Sequence, residues 1–256
     1  MGQSANPTHT PTLFKTQEST KLQRGEQESF HNTVMRIMFY AIRVRPDILS
    51  TVNFLLSRTR LGTASQEDKK KLIRLVQFIR NTSENGITLG RDSAGKIRIY
   101  ANADAAYGIH VDGKLHTSLV ITLGRGPVFV KSTKQKCVTK SSCEAEINAL
   151  SDIVATVKWL NDLLVELLGE RQPPVLMEDN RAAIHLVTNG ASTADRSRHV
   201  HIRKNFINQF LDSGEMEIRH RPTSKMLADL LTKPVNTHTF TILRELLLGT
   251  KTAEQG

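Results

Sequence analysis

Residues 96–104 of the chain read KIRIYANAD, and this alternating stretch decides how the rest of the sequence is interpreted. Side chains of one parity are apolar or small up to Ala103, whereas those of the other parity are polar or amphipathic and end in Asp104. A period of two is typical of a strand that has one face against a hydrophobic core. We therefore expect a strand over residues 96–104, half covered by the core, with Asp104 at its end.

The segments that follow this strand predict a mixed sheet. SLVITL (118–123) and PVFVKS (127–132) are β-rich runs joined by a short glycine-containing turn, which favours a hairpin. The later segments predict a helix over about 142–168 closed by Gly169, a strand at PPVLMED, helices at RAAIHLV and HIRKNFINQFL, a strand at EMEIRH and a last helix at SKMLADLL. Because parallel strands need crossover helices, this order predicts an α/β fold with helices on both faces of the sheet.

The chain upstream of residue 86 has a different character. Residues 1–28 are polar with almost no large apolar side chains, which predicts a disordered tail. Residues 29–85 carry three apolar stripes at helical spacing and predict a small helical block. The main domain is then expected at residues 86–235, with a C-terminal helix or tail at 236–256.

Composition limits the classes of function. A chain of 256 residues with 39% hydrophobic content can form one or two domains. Its net charge of +10 favours a polyanionic partner more strongly than the charge of an average domain would. The two cysteines cannot form a disulfide framework, and no Cys/His spacing matches a zinc site. The sequence also offers no membrane-spanning run, signal peptide or lipid-anchor motif. We expect an intracellular protein, cytoplasmic or nuclear, without a membrane partner.

Four carboxylates occupy four differently built segments of the chain. Each alone has an ordinary explanation as a turn residue, a helix cap or an exposed helix position. Together they fall at strand ends and helix starts that one mixed sheet can bring close. Two Mg²⁺ ions roughly 4 Å apart prefer such oxygen ligands and can hold the attacking and leaving oxygens of a phosphodiester. The candidate ligands are Asp104, Glu146, Asp179 and Asp229.

The segment SSCEAE contains two glutamates, and helix geometry separates them. Ser141 and Glu144 have the spacing of a capping box, which gives Glu144 a structural role. Glu146 instead shares a helix face with Leu150 and Ile153, where a carboxylate is costly unless a cation or donors meet it. We therefore favour Glu146 as the metal ligand.

Several segments in a fixed order point to a known family. ANADAAYGIHVDGKLHTS, STKQKCVTKSSCEAEINALSD, MEDNRAAIHLVTNG, RSRHVHIRKNF and MLADLLTKP closely resemble the ribonuclease H domain at the end of Ty1/copia-type retrotransposon polyproteins. The resemblance runs from about Ile87 to Val235. Upstream, RVRPDILSTVNFLLSR and LIRLVQFIRNTSENGITL resemble the segment that connects this family's reverse transcriptase to its ribonuclease H. The implied fold is a ribonuclease H-like mixed five-stranded sheet flanked by helices.

The resemblance implies hydrolysis of the RNA strand of RNA:DNA hybrids by two Mg²⁺ ions, with Mn²⁺ as an alternative. By motif, Asp104 would bridge both ions, Glu146 and Asp179 would hold the ion near the leaving group, and Asp229 would hold the ion that activates water. His220 lies where cellular relatives place a histidine that assists product release. A reverse transcriptase polymerase domain or polyprotein is the implied protein partner.

The sequence leaves open one alternative alignment and two alternative functions. Asn102 stands near Asp104 where some elements have a second Asp, and an alignment shifted by two would put Asn102 on the bridging position and give an inactive nuclease. We prefer Asp104 because YGIHVDGKLHTS then aligns without a gap. The alternatives are a catalytically inactive nucleic-acid-binding remnant and, less favoured, an integrase- or transposase-like DNA nuclease, whose glutamate comes last in the chain.

Two basic clusters predict contacts to a nucleic-acid backbone, which would give affinity without sequence preference. The alternative is an ordinary solvated basic surface. The H-x-H spacing in the second cluster could suggest zinc, but the neighbouring arginines argue against a metal there. The first cluster is Lys131, Lys134, Lys136 and Lys140, and the second is Arg196, Arg198, His199, His201, Arg203 and Lys204.

Overall fold

The computed structural model describes residues 13, 19–59, 62–106, 115–135, 141–169, 172–189 and 198–251. The helices are α1 (Arg24–Arg43), α2 (Leu49–Ser57), α3 (Gln66–Asn81), α4 (Ser142–Leu168), α5 (Arg181–Thr188), α6 (Arg198–Asp212), α7 (Asp229–Thr232) and α8 (Thr237–Leu247). The strands are β1 (Tyr100–Ala106), β2 (His116–Thr122), β3 (Pro127–Lys134), β4 (Val175–Glu178) and β5 (Glu217–His220). Short 3-10 turns lie at Pro46–Ile48 and Thr223–Lys225.

The five strands form one mixed sheet in the order β3-β2-β1-β4-β5. The first three strands pair antiparallel, whereas β4 runs parallel to both β1 and β5. α4 connects the hairpin strand β3 to β4, and α5 and α6 connect β4 to β5. The mixed five-stranded sheet with flanking helices, expected for a ribonuclease H-like fold, is confirmed.

The central strand β1 differs from its prediction in position and in burial. It begins at Tyr100 rather than Lys96, and it continues to Ala106, so Asp104 lies two residues before its end. All seven residues are buried, so the expectation of a strand only half covered by core is wrong. α4 packs on one face of the sheet, while on the other face α2 contacts β3 and α7 contacts β2 and β1.

The N-terminal helical block supplies this second layer. Buried side chains of α1, α2 and α3 share one hydrophobic cluster with those of α7 and α8. The rings of Phe78 and Phe240 meet edge to face at a centroid distance of 5.9 Å. Asn53 of α2 donates from Nδ2 to the carbonyl and the hydroxyl oxygens of Ser132 at 2.8 and 2.9 Å. The block is therefore packed as part of the same body as the sheet.

The helical block also begins earlier than predicted. α1 starts at Arg24, so residues 24–28 of the expected disordered tail are helical. Gln23 and Glu26 form a capping box at this end, with the Gln23 N–H donating to Glu26 Oε2 at 3.1 Å. Leu13 is buried, and its carbonyl accepts a hydrogen bond from Lys71 Nζ at 3.0 Å. The other residues of that tail before residue 19 lie outside the described part of the chain.

The segment SKMLADLL is not one helix, contrary to the prediction. A 3-10 turn at Thr223–Lys225 precedes an extended Met226, and α7 covers only four residues before Pro234. Proline disfavours helical backbone at the residue before it, which ends α7 at Thr232. The hydroxyl groups of two sheet serines donate to the carbonyls of this region: Ser118 to Ala228 at 2.6 Å and Ser132 to Leu231 at 2.8 Å. The sheet therefore holds the backbone on which Asp229 lies.

Candidate active site

Three of the four predicted ligands meet at one edge of the sheet. Asp104 lies near the end of β1, Glu146 in the first turn of α4 and Asp179 directly after β4. One oxygen of each carboxylate lies within 4.8 Å of the others. They line a cleft of about 410 Å³ together with Ser142, Asn180 and Lys233, among other residues. Oxygen ligands at this spacing suit a hard divalent cation.

Local hydrogen bonds orient these carboxylates. The Ala105 N–H donates to Glu146 Oε2 at 3.0 Å, which ties the first turn of α4 to β1. Asn180, rather than Asp179, is the N-cap of α5, and its Oδ1 accepts hydrogen bonds from the Ala182 and Ala183 N–H groups. Asp179 instead accepts a hydrogen bond at Oδ2 from the Thr223 hydroxyl at 2.8 Å. The capping explanation for Asp179 is therefore wrong, and its carboxylate points toward the cleft group.

The fourth predicted ligand, Asp229, lies beside this group but outside it. It is buried at the start of α7, and its Oδ1 lies 2.9 Å from Lys233 Nζ. The same ammonium group lies 3.9 Å from Asp104 Oδ1. The Thr232 hydroxyl donates to Asp104 Oδ2. Asp104 and Asp229 thus share one lysine, which the sequence reasoning missed although its i,i+4 spacing from Asp229 was visible.

A fifth carboxylate, Glu178, was also missed. It is the last residue of β4 and is fully buried. Its Oε1 accepts from the Asn180 N–H at 3.0 Å, while Oε2 has no hydrogen-bond partner among the described residues. Buried carboxylates are costly without donors or a cation, so Glu178 adds one more carboxyl group whose charged form the site would have to balance. Its place in an apolar strand was the available signal.

Burial and mutual repulsion raise the pKa values of this cluster. Burial first, and then the nearby carboxylates, raise the pKa of Glu146 to about 10. Burial likewise raises the pKa of Glu178 to about 8 and that of Asp229 to about 7. The pKa of Asp104 is raised by burial in spite of Lys233 and Thr232. Burial would lower the pKa of Lys233, yet Asp104 and Asp229 raise it. A bound divalent cation would relieve this repulsion.

These shifts predict how stability depends on pH. A carboxyl with a folded-state pKa above its ordinary 4.5 binds more protons in the folded than in the unfolded chain. Folding is then less favourable as pH rises, and we expect the melting temperature in chelator to fall between about pH 5 and pH 9. Glu146→Gln should flatten this decline, and Mg²⁺ should offset it in the wild-type chain. Thermal melts at each pH test this, and an equal slope in the variant would contradict it.

The residues predicted to contact nucleic acid lie in different environments, and their role stays a prediction. Lys131 and Lys134 are exposed on the edge strand β3. His199 Nε2 lies 2.7 Å from Glu144 Oε1, and Arg203 lies 2.9 Å from Asp152 Oδ1. The following residues fall outside the described part of the chain, Arg198 by its side chain alone: Lys136, Lys140, Arg196 and Arg198.

Lys204 is a correction to the same prediction. Its side chain is only 1% exposed, so it is withdrawn from the surface that a phosphate could reach. The sequence placed it in a run of basic residues, but successive positions of a helix point in different directions, and this one faces inward. The structure therefore places Lys204 in the interior and not on the predicted basic surface.

Two other predicted positions also have a defined place. His220 is the exposed last residue of β5 and pairs in register with Glu178, which puts it at the cluster's end of the sheet. Its role in product release stays a prediction. Asn102 is fully buried one strand period, about 7 Å, deeper in β1 than Asp104. Asp104 rather than Asn102 therefore lies level with Glu146 and Asp179.

The described part of the chain contains no helix that has both the length and the apolar character needed to span a membrane.

The relatives of the chain are Pol polyproteins of retrotransposons. The Retrovirus-related Pol polyprotein from transposon RE1 of Arabidopsis thaliana is 32% identical over 202 residues, which cover 78% of this chain and 14% of the relative. The corresponding polyprotein from transposon TNT 1-94 of Nicotiana tabacum is 27% identical over 252 residues, covering 95% and 19%. The Ty1-ER2 Gag-Pol polyprotein of Saccharomyces cerevisiae is 23% identical over 239 residues, covering 91% and 14%.

These matches identify the chain as a homologue of the Ty1/copia retrotransposon Pol polyproteins. It spans between 14% and 19% of the length of the relatives given above. No protein-family model matches the chain.

Among solved structures, ribonuclease H1 from Halobacterium salinarum NRC-1 is similar with a TM-score of 0.38 and 18% identity, over 53% of this chain and 94% of that one. The foamy viral protease-reverse transcriptase in complex with RNA/DNA hybrid is similar with a TM-score of 0.39 and 12% identity, over 88% and 27%.

Proposed function

We propose that the chain hydrolyses the RNA strand of RNA:DNA hybrids, as the ribonuclease H part of a copia-type retrotransposon Pol protein. The observation that carries this proposal is the group of Asp104, Glu146 and Asp179, whose oxygens lie within 4.8 Å of one another at one edge of a ribonuclease H-like sheet. Homology to Pol polyproteins supports the same reaction and suggests a reverse transcriptase polymerase as the partner.

These three residues together with Asp229 fit a pair of divalent cations, which we take to be Mg²⁺. Asp104, Glu146 and Asp179 would hold one ion, and Asp104 and Asp229 would hold the other. The fit rests on burial, because carboxylates with such raised pKa values are stabilised in the charged form by a cation. When bound, the ions supply a water of lowered pKa and stabilise charge on the phosphate.

The contribution of the chain itself is to hold the carboxylates in place before substrate arrives. The Thr232 hydroxyl fixes Asp104, and the Ala105 N–H fixes Glu146. The Thr223 hydroxyl fixes Asp179, which Asn180 leaves available by capping α5. Partners of this kind orient ligands and reduce the reorganisation that the reaction would otherwise need.

The substrate would lie along the open side of the cleft. Ser142 and Asn180 line the cleft beside the carboxylates and offer neutral hydrogen-bonding groups. The exposed Lys131 and Lys134 and the net charge of +10 favour a polyanion. Such contacts reach phosphates in any sequence, so selectivity for a hybrid would come from its shape and its 2′-hydroxyls.

Cleavage of an end-labelled RNA:DNA hybrid by the 256-residue chain tests this function. We expect cutting of the RNA strand with Mg²⁺ or Mn²⁺, none in chelator, and none of duplex DNA or of free single-stranded RNA. Hybrid binding without cutting by a folded chain would favour the inactive nucleic-acid-binding remnant. Cutting of duplex DNA would favour an integrase- or transposase-like nuclease.

A further inference from the structure

The Lys233 ammonium group lies between two of the buried carboxylates. Its Nζ is 2.9 Å from Asp229 Oδ1 and 3.9 Å from Asp104 Oδ1. Both carboxylates are about 97% buried on their side chains, whereas the lysine side chain is 35% exposed. One positive charge thus serves two acids, and it reaches them from the solvent side of the cleft.

This position coincides with the one assigned to the second cation. A cation held by Asp104 and Asp229 must lie within bonding distance of both, and Lys233 Nζ is now the charge that is close to both. Two positive charges at such separations repel strongly in a partly buried site, where solvent screens them poorly. The ammonium group and the ion cannot both keep close contact with Asp229.

We propose that Lys233 is an exchangeable counter-ion of the site, which neutralises Asp104 and Asp229 when no ion is bound and leaves them when the second divalent cation binds. This inference rests on the proposed function, because it takes the Asp104–Asp229 pair as an ion site. It makes Lys233 a residue that tunes ion affinity. Binding there is then an exchange of one cation for another, so the second ion binds more weakly than its two carboxylates alone would allow.

The exchange follows from the way the lysine is attached. Lys233 is the first residue after α7, with extended backbone, and its long side chain reaches back over one turn to Asp229. A lysine head group has a flexible four-carbon stem and single-point contacts, so it can move into solvent without moving α7. The backbone of α7 is held separately, because the hydroxyl groups of Ser118 and Ser132 donate to the carbonyls of Ala228, directly before α7, and of Leu231 within it.

The test is the affinity of the full chain for Mn²⁺ and for Mg²⁺, measured by calorimetric titration and by the rise in melting temperature. We expect Lys233→Met to bind the second ion roughly tenfold or more tightly than wild type, within the usual range for coupled sites. In chelator the variant should melt at a lower temperature, and a saturating ion should raise its melting temperature further than that of wild type. Both readouts are independent of nuclease activity.

Lys158→Met is the matched control. Lys158 also pairs with an aspartate at i,i+4, Asp162, at 2.7 Å, and its side chain is 34% exposed, but it lies in the middle of α4. This variant should bind ions as wild type does. Equal ion affinity in wild type and Lys233→Met would overturn the exchange and leave the proposed function standing. If neither chain binds a divalent ion, both the exchange and the two-ion function are overturned.

Discussion

We expect Asp104→Asn to lower the rate of hybrid cleavage by about 1,000-fold or more, equivalent to about 4 kcal/mol of transition-state stabilisation. Asp104 belongs to the three-carboxylate group and also lies near Lys233, so it is the acid common to both proposed ion positions. The amide keeps the shape of the side chain and its bond to Thr232 but removes the negative charge that an ion needs. Single-turnover cleavage of a labelled hybrid with saturating Mg²⁺ measures the effect.

The control for this substitution is the same chemical change outside the site. Asp162→Asn removes a carboxylate that is 56% exposed and paired with Lys158 on α4, and it should cleave at the wild-type rate. Asp104→Asn should fold at least as well as wild type in chelator, since it removes one of several repelling buried charges. Loss of activity with an unchanged or raised melting temperature would therefore report on catalysis. If Asp104→Asn kept more than about a tenth of the wild-type rate, the assignment would be contradicted, because removing one key electrostatic group should lower the rate by more than tenfold.

The second large effect concerns the contact between the helical block and the C-terminal helix α8. We expect Phe78→Ala to cost about 3–5 kcal/mol of unfolding free energy, with a fall in melting temperature of about 10 °C. Phe78 is 2% exposed and packs edge to face against Phe240 of α8, so the truncation removes buried area on both sides of the contact. Urea or thermal unfolding of the full chain measures the loss.

Phe39→Ala is the matched variant for this test. Phe39 belongs to the same helical block but is 62% exposed, so its truncation should change the unfolding free energy by less than about 0.5 kcal/mol. A loss for Phe78→Ala as small as that for Phe39→Ala would mean that the helical block adds little to the shared core. A single cooperative transition that Phe78→Ala shifts as a whole is the expected result, because α1, α2 and α3 bury one hydrophobic cluster together with α7 and α8.

The sheet and most of the site could be predicted from the sequence because both depend on local patterns. Alternation and turn residues are sufficient to find the hairpin. The N-cap Ser141 and the C-cap Gly169 set the bounds of α4, which begins and ends at the predicted residues. Parallel pairing then puts the ends of β1 and β4 at one edge, which brings Asp104 and Asp179 together. These steps follow from periodicity and connection rules.

The parts that were missed depend on contacts between distant segments. The second face of β1 packs against α7, which lies more than one hundred residues downstream, and no local period reports such a contact. α7 was predicted as part of a longer apolar helix because the extended Met226 before it leaves no local signal, and the anchors of α7 are side chains of β2 and β3. Glu178 and Lys233 carried little signal alone, since their importance lies in which charges they approach.

The anchoring of α7 has a thermodynamic consequence for the site. A four-residue helix cannot persist by itself, because so few backbone bonds do not offset the cost of nucleation. Ser118 on β2 and Ser132 on β3 instead hold the carbonyl of the N-cap residue Ala228 and that of Leu231 in α7. The backbone of Asp229 should therefore open only when the β2–β3 hairpin opens, within one cooperative unit of the protein. A carboxylate that comes late in the chain thus shares the opening free energy of the central sheet.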